Sequence, residues 1–176
     1  MNKFARATAV MVLFATFGQM QLAEAKMPVA KIGNNTIKLE VAQTQDEIMR
    51  GLMYRTSLPE DTGMVFLFRP PRKVRFWMAH CFISLDMLFI KDGKIIKICE
   101  NVPPCKEARE EDCPTYPSEE PIEVSEVVEV INGYAKRHNI KEGDAITFSF
   151  PAIKKQVGES KPNPESKPTP ESKPSP

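Results

Sequence analysis

The stretch LDMLFIKDGKIIKICE, residues 85–100, constrains the fold most. Two apolar runs flank Lys91-Asp92-Gly93, and Gly93 can take the positive φ of a tight turn. The pattern predicts a β-hairpin. Other parts of the chain repeat it. MPVAKI and TIKLEVA flank a Gly-Asn-Asn turn, which predicts a hairpin over 27–41. GMVFLF is apolar nearly throughout, so a strand covered on both faces is expected. PRKVRFWMAHC follows a break at Pro70-Pro71, and VSEVVEVI and AITFSF read as later strands.

Two short helices interrupt this series. Thr44-Gln45-Asp46-Glu47 is a capping box, and Ile48, Met49, Leu52 and Met53 then form one stripe. Gly51 is placed inside that helix, where it costs about 1 kcal/mol relative to Ala and can let another backbone come close. Asn132-Gly133 opens the second helix, with Asn139 as its candidate C-cap. Many short strands with two small helices predict a mainly β, α+β fold: a single β-barrel-like domain over 26–153.

The two ends differ in composition. Residues 1–25 read as a signal peptide: Lys3 and Arg6, an uncharged run ATAVMVLFATF, then Ala23-Glu24-Ala25. The run is shorter than the roughly 20 residues needed to span a bilayer. Export is therefore expected, to a periplasmic, envelope-associated or extracellular location, with no transmembrane span in the mature chain. Residues 154–176 carry ESKPNP, ESKPTP and ESKPSP, which contain nothing apolar from which to build a core. They read as a disordered, extended Pro-rich tail, acting as a spacer, a docking segment or a tether.

An oxidising compartment permits disulfides. Cys105 and Cys113 flank the short polar loop CKEAREEDC, which a bridge closes easily. Cys81 and Cys99 are expected on strands as small core residues. The spacing is not that of a zinc site, and the acidic run Glu107, Glu110, Glu111, Asp112 lacks the EF-hand pattern. No metal or cofactor is expected. A net charge of +1 carries no nucleic-acid footprint.

RGLMYRTSLPEDTGMVFLF, FWMAHCFISLDMLFIKDGKI and VVEVINGYAKRHNIKEGDAI occur in that order and at family-like spacing. Together they resemble the DUF192 family, also called UPF0127, over roughly residues 30–150. The resemblance implies a small β-rich barrel domain, often exported, and carries no activity with it. Around the Trp the family pattern is close to FWMKNTxIPLDM. Trp77, Met78, Leu85, Asp86 and Met87 fit that pattern. Ala79, His80, Cys81 and Ser84 depart from it, replacing Lys, Asn, Thr and Pro.

Five residues are candidates for a ligand site: Arg55, Asp61, Trp77, His80 and Asp86. On a regular strand Phe76, Met78 and His80 would share one face, and Trp77, Ala79 and Cys81 the other, so His80 and Cys81 would point apart. Asp86 sits among apolar residues and needs a partner, since burying a lone carboxylate is costly. One reading is a structural ion pair with Arg50, Arg55 or Arg75, and the other is a buried acid at a pocket. Asp61 either lines a site with Arg55 or caps the turn before Gly63. His138 reads as structural.

No G-x-S-x-G, H-E-x-x-H, Walker A or dinucleotide fingerprint occurs. The expectation is an exported domain that binds a small ligand or an envelope component. Trp77 would stack on a planar or sugar-like group, and Arg and Asp would orient it. An acid–base hydrolase using Asp86 and His80 is one alternative. A structural envelope protein tethered by its tail is the other.

Overall fold

The computed structural model describes residues 27–151. The predicted signal peptide, residues 1–25, and the whole Pro-rich tail, residues 154–176, lie outside them. Nine strands and two short helices follow in the order β1 (Val29–Ile32), β2 (Asn35–Ala42), α1 (Gln45–Arg50), β3 (Thr62–Val74), β4 (Phe76–Trp77), β5 (Leu85–Lys91), β6 (Lys94–Val102), β7 (Thr115–Tyr116), β8 (Ile122–Ile131), α2 (Tyr134–Arg137) and β9 (Ile146–Ser149). The mainly β, α+β expectation holds.

Seven strands form one curled sheet in the order β6-β5-β8-β3-β2-β1-β9, and β4 pairs with β7 in a separate ribbon. The two edges of the large sheet meet: Lys94 on β6 bridges Ala145, the residue before β9. Hydrogen bonds flank that bridge, from Gly143 N–H to Ile95 O at 2.7 Å and from Ile146 N–H to Gly93 O at 2.9 Å. The curl is therefore fastened at one end, which makes the sheet barrel-like.

The predicted hairpin over 85–100 is β5–β6. Its turn residues Asp92 and Gly93 have φ of 51° and 69°, the two positive values that a two-residue turn between twisted strands needs. β1 and β2 form the earlier hairpin, with Ile32 opposite Asn35.

β3, β8 and β5 lie side by side at mid-sheet and are buried on both faces. Their alternate residues feed two cores. Val65, Leu88, Val128 and Val130 face the inside of the curl, where Tyr134 and Ala135 of α2 close it. Phe66, Phe68, Met87, Phe89 and Val127 face the other way. That second layer is covered by Leu52 after α1, by Phe76 of β4 and by the Met78–Cys81 turn. Gly63 lets β3 and β8 meet: a Cβ there would stand 2.3 Å from Glu129 O.

Three local expectations are corrected. Pro70-Pro71 does not end the strand; β3 runs through to Val74 with a register shift between Leu67 and Arg72 against β8. Gly51 is not inside the helix. α1 stops at Arg50, and Gly51 caps it at φ 44°, facing the Phe66 ring rather than another backbone. The strand carrying Trp77 ends with it, because the chain turns at Ala79-His80. Face alternation therefore fails there. Met78, Ala79 and Cys81 are all buried, while His80 turns outward at φ 56°.

Candidate functional site

The second layer leaves an open cleft between α1 and the β3–β4 corner. It holds about 410 Å³, within the range of small-molecule pockets. Ile48 and Met49 of α1 form one wall, and Phe68, Val74, Phe76 and Trp77 form the other. Arg72, Lys73 and Arg75 line it as well. The Arg72 guanidinium sits 4.8 Å from the Phe68 ring centroid, a cation–π contact that keeps its charge over the cleft. Met49 remains 49% exposed, so this wall is apolar surface open to water.

A smaller chamber of about 30 Å³ shares Ile48, Met49, Phe76 and Trp77 with the cleft. Its lining includes Leu52, Phe66, Cys81 and the carboxyl-bearing Glu129. Burial in this apolar setting pushes the Glu129 carboxyl up to about 8. Cys81 is a free thiol. Burial first, and the Glu129 charge second, push it up to about 12, so it stays protonated and is a poor nucleophile.

The five sequence candidates do not converge. Asp86 is fully buried on the inner face, and no Arg reaches it. Its Oδ1 accepts N–H bonds from Asn101 at 2.8 Å and Gly133 at 2.9 Å, and its Oδ2 accepts one from Ala135 at 3.0 Å. Backbone donors replace the expected guanidinium. Arg55 pairs with Glu40 at 2.6 Å. The Asp61 carboxylate accepts a bond from the Tyr134 hydroxyl at 3.0 Å, and burial together with Asp61 pushes that phenol up.

His80 stacks on Tyr54 with centroids 5.3 Å apart, and its Nε2 lies 2.7 Å from Glu110. It lines a different surface pocket of about 530 Å³, beside the Cys105–Cys113 loop. Polar groups there already engage each other, as the His80–Glu110 contact shows. Of the five, Trp77 alone lines the apolar cleft. No hydrogen bond joins His80 to Asp86, and the Asp86 oxygens are taken up by backbone donors. Nothing in this geometry assembles the acid–base pair.

The loop cysteines do pair. Cys105 and Cys113 are joined by a disulfide. Within the loop Glu110–Asp112 form a 3₁₀ turn, and just after it β7 pairs Tyr116 with Phe76 and Thr115 with Trp77. Cys105 N–H also donates to Met78 O at 3.1 Å. The disulfide loop thus holds the ribbon that presents Trp77.

The DUF192 family model, described as an uncharacterized ACR, matches residues 28–148. The chain belongs to the DUF192 family. Two solved structures are similar to it. One is a protein of unknown function from Novosphingobium aromaticivorans DSM 12444, with 34% identity, a TM-score of 0.59, and coverage of 68% of this chain and 83% of that one. The other, from Sinorhizobium meliloti 1021, is described as a candidate transcription regulator. It shows 34% identity, a TM-score of 0.59, and coverage of 69% of this chain and 92% of that one. No curated protein matches this DUF192 chain.

Glu129, Ile48, Met49, Arg72 and Lys73 escaped the sequence reading as site residues. A signal for Glu129 was present. Glu126 and Glu129 lie three apart on one strand, so on a regular strand they fall on opposite faces. With both faces of β8 covered, at least one carboxyl had to be buried. In the structure both residues are buried: Glu126 pairs with Arg69, and Glu129 makes no salt bridge among the described residues.

Proposed function

We propose that this DUF192 domain is an exported small-ligand-binding protein whose site is the cleft between α1 and the β3–β4 corner. The ligand is an amphiphile: an apolar body that lies along Ile48, Met49, Phe76 and Trp77, with an anionic group at Arg72, Lys73 and Arg75. The observation that carries this reading is the open apolar wall facing Trp77 under three cations. Apolar surface of this kind is stabilised by covering it, at roughly 25 cal/mol per Å². The cations supply orientation and attract an acid. The signal-like first 25 residues and the Cys105–Cys113 disulfide support a site of action outside the cytoplasm.

Calorimetric titration with decanoate tests the site. Saturable one-to-one binding is expected, and Met49→Glu should abolish it by placing a carboxylate at the cleft mouth. Equal binding by Met49→Glu would move the ligand elsewhere on the molecule.

A further inference from the structure

Glu129 stands at mid-strand on β8, between Met64 of β3 and Met87 of β5. It is 4% exposed. No salt bridge or hydrogen bond to a described residue engages its carboxyl. Among the described residues no fully inaccessible side-chain polar atom lacks a partner, so the carboxyl keeps some accessible surface, and Glu129 lines the small chamber. The chamber, about 30 Å³, has room for one small polar group, since a water needs roughly 10–15 Å³ of such space. Its other lining is almost wholly apolar: Leu52, Phe66, Phe76, Trp77 and Ala79, with the Cys81 thiol. Arg50 stands at its edge, but it is exposed and makes no ion pair with Glu129.

We propose that Glu129 is the polar anchor of the cleft, and that the ligand offers it one uncharged group that both donates and accepts a hydrogen bond. A hydroxyl at the end of an apolar chain meets this requirement, with the acid at the other end held by Arg72, Lys73 and Arg75. The inference rests on the cleft being the ligand site. Counting donors and acceptors excludes the other end groups. An ammonium brings three donors and a charge, and the chamber offers two carboxyl oxygens and a weak thiol acceptor. A second carboxylate would have to carry its own charge out of water into an apolar space that holds no cation to pair with it. A methyl end would strip water from Glu129 and return no bond. A hydroxyl accepts from the protonated carboxyl and donates to its carbonyl oxygen.

Paired titrations of the full chain with decanoate and ω-hydroxydecanoate test this. The hydroxylated probe should bind about tenfold tighter, the worth of one buried hydrogen bond against an unmade one. Infrared difference spectra should show the protonated carboxyl C=O band shifting with ω-hydroxydecanoate and not with decanoate. Glu129→Gln keeps a neutral donor and acceptor and should retain the preference; Glu129→Leu should erase it. Equal affinities with no band shift would overturn the inference and leave the cleft standing as a site. A preference surviving in Glu129→Leu would overturn it too. If neither probe binds, the cleft reading falls and takes this inference with it. Should Glu129→Leu not fold, the wild-type preference and the infrared band decide.

Discussion

Asp86 and Ala135 are joined by a buried hydrogen bond of 3.0 Å, from the backbone N–H at the start of α2 to the carboxylate of β5. The same carboxylate takes the N–H groups of Gly133 and Asn101. One side chain thus fixes the plug of the curled sheet and the bend at the end of β6, where Asn101 has φ 50°. Asp86→Ala leaves three backbone donors without their acceptor, fully buried at Ala135 and partly buried at Asn101 and Gly133. It should lower unfolding stability by about 3 kcal/mol or more, at a cost of 1–3 kcal/mol per unsatisfied group partly offset by water entry. Urea denaturation measures this, and an unchanged midpoint would remove Asp86 from the framework.

The Cys105–Cys113 bridge closes a short loop, and loss of a bridge over so few residues costs about 2–3 kcal/mol on the chain-entropy account. Just after Cys113 comes β7, which pairs with the Trp77 strand. A Cys105→Ser, Cys113→Ser double variant should therefore unfold more easily and shift Trp77 emission to the red in its folded state. Lower stability with unaltered emission would separate the loop from the cleft.

Glu129 sets a pH dependence. Its carboxyl rises from the ordinary 4.5 to about 8 on folding. The folded state therefore binds the proton more tightly than the unfolded one. Its contribution is fully present below pH 4.5 and is lost as pH rises to about 8. Within that window stability should fall by at most about 1.4 kcal/mol per pH unit from this group. The difference between wild type and Glu129→Gln, measured across the window, isolates it from the other carboxylates. Parallel stability curves for the two proteins would contradict a protonated Glu129.

The cations of the cleft predict a salt effect. Arg72, Lys73 and Arg75 face water, where attraction is screened over a Debye length of about 8 Å at physiological ionic strength. Decanoate affinity should fall as sodium chloride rises. A triple Arg72→Gln, Lys73→Gln, Arg75→Gln variant should bind more weakly and lose most of that dependence. A variant with the wild-type salt slope would place the acid group away from these residues.

The strands were legible because their signals are local. Asp92-Gly93 between two apolar runs forces a hairpin, and Thr44 with Glu47 forces a helix start. The end of the Trp77 strand was not legible. Nothing in MAHC marks a turn, and His80 takes a positive φ that few non-glycine residues adopt. The site was less legible than the fold. Asp86 looked available because its partners are backbone N–H groups, which every residue carries and no sequence displays. Trp77 was found by its chemistry. Ile48 and Met49 read as one helical stripe with Leu52 and Met53, yet α1 is only six residues long and none of its residues is buried. Glu129 could have been found by strand parity, had β8 been recognised as covered on both faces.

Trp77 is the only tryptophan in the chain and lines both the cleft and the chamber. Titrating the protein with decanoate while following its fluorescence therefore reads occupancy of the cleft at its own wall. A saturable blue shift is expected, as the amphiphile displaces water from the indole, and Met49→Glu should lose it. Emission that stays constant while calorimetry reports decanoate binding would contradict the cleft as the ligand site.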